Sequence, residues 1–196
     1  MTAARFEYRV FRSVLKAEQR QLASLSDPSP SSLRRRISHE YYIIPQNENR
    51  YNVKIRDGKI DIKFLSKTVD GCEQWQPRFK SEFPLSAKYL KDEILPALDL
   101  ETPDLNDNSI SLQQFIEILR SHPGVRTVKV KKIRRSYRIQ TAICEFASIT
   151  IEDKKIETIS VEAEDVQKVR QVIKEIGIDK YENTNYIRAI RKMADS

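Results

Sequence analysis

The side chains with most chemistry in them recur at alternate positions. Arg5, Glu7 and Arg9 form one such set, Lys54 and Arg56 another, and Lys59, Asp61 and Lys63 a third. Arg78 and Lys80, then Lys132, Arg134 and Arg138, then Ser160, Glu162 and Glu164 repeat the spacing. Alternate residues of an extended strand share a face, so each set presents its groups together. For any one pair a solvated sheet face is explanation enough. The segregation of sign asks for more, because 50–65 and 126–138 are mostly basic while Glu162 and Glu164 make an acidic step. Like charges on neighbouring strands repel, so rows of cations call for an anion. Arg and Lys on rigid strands meet several phosphate oxygens at once, Arg in bidentate fashion. Carboxylates beside them suit Mg2+ or Mn2+, hard ions that take oxygen ligands from protein and phosphate together. A metal held in this way polarises a phosphoryl group and orients water, with no side-chain nucleophile needed. The chain shows no Ser, Cys or His arrangement for nucleophilic catalysis.

The elements that must carry these residues are mostly strands. Val53 and Ile55 alternate with Lys54 and Arg56; after Asp57-Gly58, Ile60, Ile62 and Phe64 alternate with Lys59, Asp61 and Lys63. Asp-Gly between alternating runs marks a two-residue hairpin turn, which sets Lys54 opposite Asp61 and Arg56 opposite Lys59. Further strands are expected at Arg5–Phe11, near Glu40–Ile44, at Gln74–Phe83, and at roughly 125–136, 137–151 and 155–164. Helices are expected over Arg12–Leu25, after the cap Ser86 through Leu90, Ile94 and Leu98, and after the Ser111/Gln114 capping box. Another follows Asp165 and stops at Gly177, and a last short one spans about Asn185–Met193. Ser26–Ser32 reads as a flexible connector, and 99–108 as a polar loop. The pattern is α+β, with seven or eight mainly antiparallel strands; four glycines and no βαβ alternation disfavour a doubly wound nucleotide fold.

Composition sets outer bounds. A chain of 196 residues suits one domain, taken as 1–196. Its net charge of +7 favours an anionic partner. No apolar run reaches the ~18 residues of a membrane span, and the N-terminal residues lack a signal-peptide core, so a cytoplasmic location with no membrane partner is expected. Cys72 and Cys144 read as reduced structural thiols, and His39 and His122 lack metal-ligand spacing.

Taken together, these motifs resemble the CYTH superfamily, the triphosphate tunnel metalloenzymes. Glu7-Tyr8-Arg9 resembles the second half of the family's Glu-x-Glu-x-Lys signature. Lys54-Ile55-Arg56 and Lys63 are similar to its basic pair and following lysine. Trp75–Leu85 resembles its next strand, and Lys132-Ile133-Arg134 with Tyr137 its Lys-x-Arg-x-x-Tyr segment. Glu145 falls where the family often has an acid, and Ile159–Glu164 resembles its late Glu-x-Glu strand. The resemblance implies an eight-stranded antiparallel barrel enclosing a basic tunnel, with helices outside, that hydrolyses triphosphate or polyphosphate compounds with Mg2+ or Mn2+. It implies Glu162, Glu164 and Glu7 as catalytic metal ligands with Glu145 as a further metal candidate. It implies Arg9, Lys54, Arg56, Lys63, Arg78, Lys132 and Arg134 as phosphate ligands. Two departures stand out: Arg5 replaces the signature's first glutamate, and Thr184-Asn185-Tyr186 stands where a lysine often precedes Ser-Tyr.

Other readings remain open on the residues. The same fold could bind polyphosphate or a phosphorylated metabolite without turnover, and nucleotide cyclase activity also occurs in the superfamily. A nucleic-acid-binding protein is a further alternative, supported by Arg34-Arg35-Arg36, the 126–138 strand, and tyrosines such as Tyr41, Tyr42, Tyr51 and Tyr137 that could stack on bases. Tyr41, Tyr42, Tyr181 and Tyr186 otherwise read as core or rim packing, Glu145 as a solvated strand residue, and Asp61 as an offset to Lys54.

Overall fold

The computed structural model of the chain describes residues 3–27, 35–47, 50–103 and 108–194. Most of the Ser26–Ser32 connector, part of the 99–108 loop and Arg34 lie outside them. The strands are β1 (Arg5–Arg12), β2 (Arg36–Pro45), β3 (Tyr51–Arg56), β4 (Lys59–Val69), β5 (Cys72–Glu82), β6 (Leu85–Ser86), β7 (Ser109–Ile110), β8 (Val125–Ile139), β9 (Ala142–Ile151) and β10 (Lys154–Ala163). Eight of them close an antiparallel barrel in the order β1-β10-β9-β8-β2-β3-β4-β5, while β6 and β7 pair separately.

Local chemistry accounts for the hairpins. Asp57 and Gly58 both adopt positive φ, 53° and 70°, and join β3 to β4 in the expected register, Lys54 with Asp61 and Arg56 with Lys59. Asp70-Gly71 repeats the device between β4 and β5. The break expected at 136/137 falls later: β8 runs on to Ile139 and turns at Gln140, which takes φ 53° with no glycine to announce it. β2 also begins earlier than Glu40, and α1 (Lys16–Leu25) starts four residues after Arg12.

The barrel is inside-out relative to a soluble sheet. Its apolar stripes face outward beneath helices, and its charged stripes face inward. On one side α1 and α4 (Val166–Ile176) cover Phe6, Tyr8, Val10, Cys144, Ile159 and Val161 with Leu22, Val169, Val172 and Ile176. Asp165 Oδ1 accepts from the Gln167 N–H at the start of α4, and Gly177 closes it at φ 79°. On the other side two helices cover Ile43, Val53, Ile55, Ile60 and Ile62. One is α2, the run Ala87–Tyr89, Leu90–Ile94 and Leu95–Ala97, capped by Ser86. Its middle turn is a π-helix, placed just before Pro96, which has no N–H to offer the preceding turn. The other is α3 (Leu112–Ser121), opened by the Ser111/Gln114 capping box.

A third cluster lies inside one end of the barrel. Tyr42, Ile44, Val128, Val130, Ala147, Ile149 and Ile151 pack there against Tyr186, Ile187 and Ile190 of α5 (Tyr186–Ala194). Asn185 and Arg188 tie this helix to the buried carboxylate of Glu73 on β5. The rest of the interior is left polar. No helix among the described residues is long and apolar enough to cross a membrane.

Candidate functional site: a charged cavity inside the barrel

Because alternate residues of every barrel strand point inward, the interior receives side chains from the whole circumference. A cavity of about 240 Å³ is lined by Glu7 and Arg9 of β1, Tyr42 of β2, Asn52, Lys54 and Arg56 of β3, and Asp61 and Lys63 of β4. Trp75, Lys132, Arg134, Glu145 and Glu162 complete its walls, with Asn185 and Tyr186 from the α5 end. Nine of the sequence-derived site residues therefore come together: Glu7, Arg9, Lys54, Arg56, Lys63, Lys132, Arg134, Glu145 and Glu162.

Two do not join them. Glu164 sits exposed in the bend after β10, because the strand ends at Ala163 and the inward alternation ends with it. Arg78 lies in an adjoining vestibule of about 330 Å³ with Arg5 and Lys80, and its guanidinium Nε bonds Glu93 at 3.1 Å. The β4/β5 register shifts between Ile62 and Lys63, which moves Arg78 out of line with the inner row. The vestibule shares Glu7, Asp61, Lys63, Trp75 and Glu162 with the main cavity, so the two adjoin across these side chains.

The cavity is less one-sidedly basic than the segregated signs suggest. Its six cations meet four lining carboxylates, Glu7, Asp61, Glu145 and Glu162, and a fifth behind them. That fifth is Glu40, 0% exposed, which the alternation analysis missed. Four cations surround it: Lys132 at 2.9 Å, Arg134 at 3.3 Å, Arg56 at 3.4 Å and Lys54 at 3.7 Å. Ser38 Oγ and Tyr42 Oη also donate to it, at 3.2 and 3.3 Å. Burial works to raise its carboxyl, but Lys132, Lys54 and Arg134 hold it well below the usual range. Ser38, Glu40 and Tyr42 are themselves an i, i+2 set. The signal was present, but a strand begun at Glu40 cuts the set short.

Lys132 is 3% exposed. Its Nζ donates to Tyr42 Oη at 2.7 Å and lies 3.6 Å from the centroid of the Tyr186 ring. Burial pushes its ammonium down to about 7, against the pull of Glu40. Tyr42 and Tyr186 stack with centroids 5.2 Å apart, so these tyrosines pack as expected and also wall the site. Asp61 pairs with Lys54 at 3.9 Å, the offset foreseen from the hairpin.

The carboxylates gather around Arg9. Its Nε bonds Glu7 Oε1 at 2.6 Å, Nη1 lies 3.7 Å from Glu145, and Nη2 donates to Ser160 Oγ at 2.9 Å. Glu7 and Glu162 are direct register partners across β1 and β10. Burial raises Glu7, but Arg9, Lys63 and Lys54 outweigh it and hold the group low. Glu162 goes the other way, raised first by burial and then by the charge of Glu7. A carboxyl raised by its neighbour is what a divalent cation between the two would relieve. The donor set thus fits a hard metal by chemistry. Among the described residues no three His, Cys, Asp or Glu side chains converge to hold one unaided. Water and phosphate oxygens would have to complete the shell, as Mg2+ commonly requires.

Three buried side-chain polar atoms among the described residues lack any hydrogen-bond partner: Asn52 Oδ1, Arg134 Nε and Tyr186 Oη. All three belong to residues lining this one cavity. Buried polar groups are nearly always satisfied, so their gathering at one place marks where a polar ligand belongs.

The fold and site define a closed antiparallel barrel with a polar, ion-paired interior and helices outside. No protein-family profile and no curated protein matches the sequence. Solved structures do match in shape. The HpAC1 protein of Hippeastrum, described as a proposed adenylyl cyclase with a dominant triphosphatase activity, superposes with TM-score 0.58 at 14% identity, over 96% of each chain. A proposed adenylate cyclase from Bacillus halodurans gives TM-score 0.53 at 10% identity, over 96% of this chain and 98% of that one. The PH1819 protein of Pyrococcus horikoshii gives 0.52 at 12%, over 95% and 99%. At such identities the likeness is one of fold.

Proposed function

We propose that this chain is a CYTH-type tunnel protein that binds the oligophosphate portion of its substrate inside the barrel and hydrolyses a phosphoanhydride bond with a divalent cation. The observation that carries this reading is the coincidence of six inward cations with all three unpartnered buried polar atoms in one cavity. Arg134 Nε and Tyr186 Oη are donors awaiting an acceptor, which phosphate oxygens supply. At about 240 Å³ the cavity falls below the ~300–1,000 Å³ of sites that engulf a drug-sized ligand. A short phosphate chain fits within it, and any attached organic group would extend into the vestibule beside Arg5, Arg78 and Lys80. The triphosphatase activity described for HpAC1, on the same fold, supports the class of reaction.

Glu7 and Glu162 would hold Mg2+ or Mn2+, with Glu145 as the third candidate. When bound, the ion would polarise the phosphoryl group under attack and offset its negative charge. Lys54, Arg56, Lys63, Lys132 and Arg134 bind and orient the phosphates through charge-assisted hydrogen bonds. Glu40 holds four of these five cations in place before the ligand arrives. Arg9 balances Glu7 and Glu145 and so sets how strongly those carboxylates present negative charge.

A binding module without turnover is the second reading. It is favoured by Arg5 in place of an acid and by the 2.6 Å bond from Arg9 to Glu7, which competes for a metal ligand. Phosphate release from tripolyphosphate, ATP, thiamine triphosphate and pyrophosphate, with Mg2+ or Mn2+, separates the two. Release that requires metal and vanishes in Glu162→Ala supports hydrolysis. Thermal stabilisation by tripolyphosphate without release leaves the binding module standing, and the absence of both release and stabilisation removes both readings.

A further inference from the structure

The outer wall of the barrel is covered by α1 and α4 on one side and by α2 and α3 on the other, but a gap remains between them. In the gap the outward residues of β2 are Ile37, His39 and Tyr41, and those of β8 are Lys129, Lys131, Ile133 and Arg135. Register places Tyr41 beside Lys129, His39 beside Lys131, and Ile37 beside Ile133. The Lys131 row continues through Thr150 of β9 to Lys155 of β10. Arg35, exposed just before β2, prolongs the strip.

Three features set this face apart. Apart from the Tyr41 phenol, its ionisable side chains are all basic: Arg35, His39, Lys129, Lys131, Arg135 and Lys155. The acids at its margins are Glu157, engaged by the Leu15 N–H, Glu152 and Asp153 in the β9–β10 turn, the first held by Arg126, and Asp57 at the far end. Second, Lys129, Lys131, Arg135 and Lys155 make no ion pair with a described residue, whereas Arg126 at the start of the same strand pairs with Glu152 at 2.6 Å. Third, two of the four exposed large hydrophobic side chains among the described residues stand here, Ile37 at 53% and Tyr41 at 42%. Beside Tyr41 opens a mainly apolar cleft of about 520 Å³, running under α3 along Ile55, Leu112, Ile116, Leu119 and Val125, with Arg56, Asp57 and Arg120 also in its lining.

We infer that this face is a binding surface for single-stranded nucleic acid, separate from the cavity inside the barrel. Alternate cations on β8 stand roughly 6.8 Å apart, close to the phosphate repeat of an extended single strand. Tyr41 offers a ring for base stacking beside that row, and the cleft accepts a further base. This surface selects its occupant. The exposed strip from β2 through β8 and β9 to Lys155 of β10 is about 14 Å across, with helices packed on either side of it. The exposed Tyr41 ring and the apolar cleft beside the cations take unpaired bases, which a lone strand offers and which a duplex keeps stacked inside and a membrane lacks. This surface does not depend on the phosphohydrolase reading, since none of its lysines lines the inner cavity.

The test is fluorescence anisotropy with a labelled oligouridylate of about 12 nucleotides bearing a 5′-hydroxyl, which brings no triphosphate to the barrel interior. Binding is expected to persist in saturating tripolyphosphate. With about four phosphate contacts, affinity should fall about 50-fold between 50 and 200 mM salt. Lys129→Glu/Lys131→Glu should weaken it at least tenfold, and Tyr41→Ala severalfold with little change in salt dependence. Metal-dependent phosphate release should be untouched by these substitutions, and thermal melting together with the milder Lys129→Gln/Lys131→Gln pair guards against misfolding. Displacement by tripolyphosphate, or indifference to both lysine pairs, would overturn the inference. So would absence of oligonucleotide binding, including the case where phosphatidylserine vesicles bind instead.

Discussion

Glu40→Gln isolates the charge with the most ion-pair partners among the described residues. The carboxylate is wholly buried and lies within 2.9–3.7 Å of Lys132, Arg134, Arg56 and Lys54. Glutamine keeps the shape and its one remaining oxygen can still accept from Ser38 or from Tyr42, which bond different oxygens of the glutamate, so the change removes charge with little volume. Breaking a buried ion pair from one side costs about 3–5 kcal/mol, because the partner charges are left uncompensated. For a chain of this size each kcal/mol moves the melting point by about 2–4 °C, which gives a fall of about 6–20 °C. The freed cations should then welcome an external anion. Tripolyphosphate without metal should raise the melting point of the variant more than that of the wild type, and its affinity, measured by calorimetry, should increase at least tenfold. A variant that melts with the wild type would refute the role of Glu40 as the internal counter-ion. A deficit that tripolyphosphate leaves unchanged would show that those four cations do not face the ligand.

Three further outcomes follow from the same geometry. Glu162→Ala should abolish metal-dependent phosphate release without lowering the melting point, since burial and Glu7 already disfavour its charge; loss of stability with unchanged rate would count against the metal assignment. Lys132, pushed down to about 7, binds its proton less readily folded than unfolded. Its contribution to stability therefore rises with pH from about 7 towards the ordinary lysine range, while oligophosphate affinity falls as pH passes upward through 7. Titrating affinity from pH 6 to 8 in wild type and Lys132→Met checks this, and equal slopes in the two would contradict it. Tyr186→Phe removes a buried hydroxyl that has no partner; the free protein should melt no lower, yet tripolyphosphate should bind about 3–10-fold more weakly, the worth of one net hydrogen bond. Undiminished binding would place the phosphates away from α5.

What the sequence made legible follows from how local each cause is. The Asp57-Gly58 turn fixes the β3–β4 register within a few residues, and Lys54, Arg56, Asp61 and Lys63 reach the interior because a period of two admits no other arrangement. The caps Ser86, Ser111 and Asp165 likewise act over three residues and stand where expected. The Gln140 turn was hidden because its left-handed residue carries no glycine or asparagine signal, and Glu164 was misplaced because the strand ends one residue before it. Glu40 escaped for a different reason. Its partners come from β2 itself, from the next strand β3, and from β8, a sequence-distant strand that pairs with β2 only in the closed barrel. Read along the chain, the cations look unopposed and the barrel looks like a positive tube. Read around the barrel, the same cations already share a buried anion. The chemistry of the site accordingly lies less in how many cations it holds than in which of them a ligand must win from Glu40, a quantity only the closed ring defines.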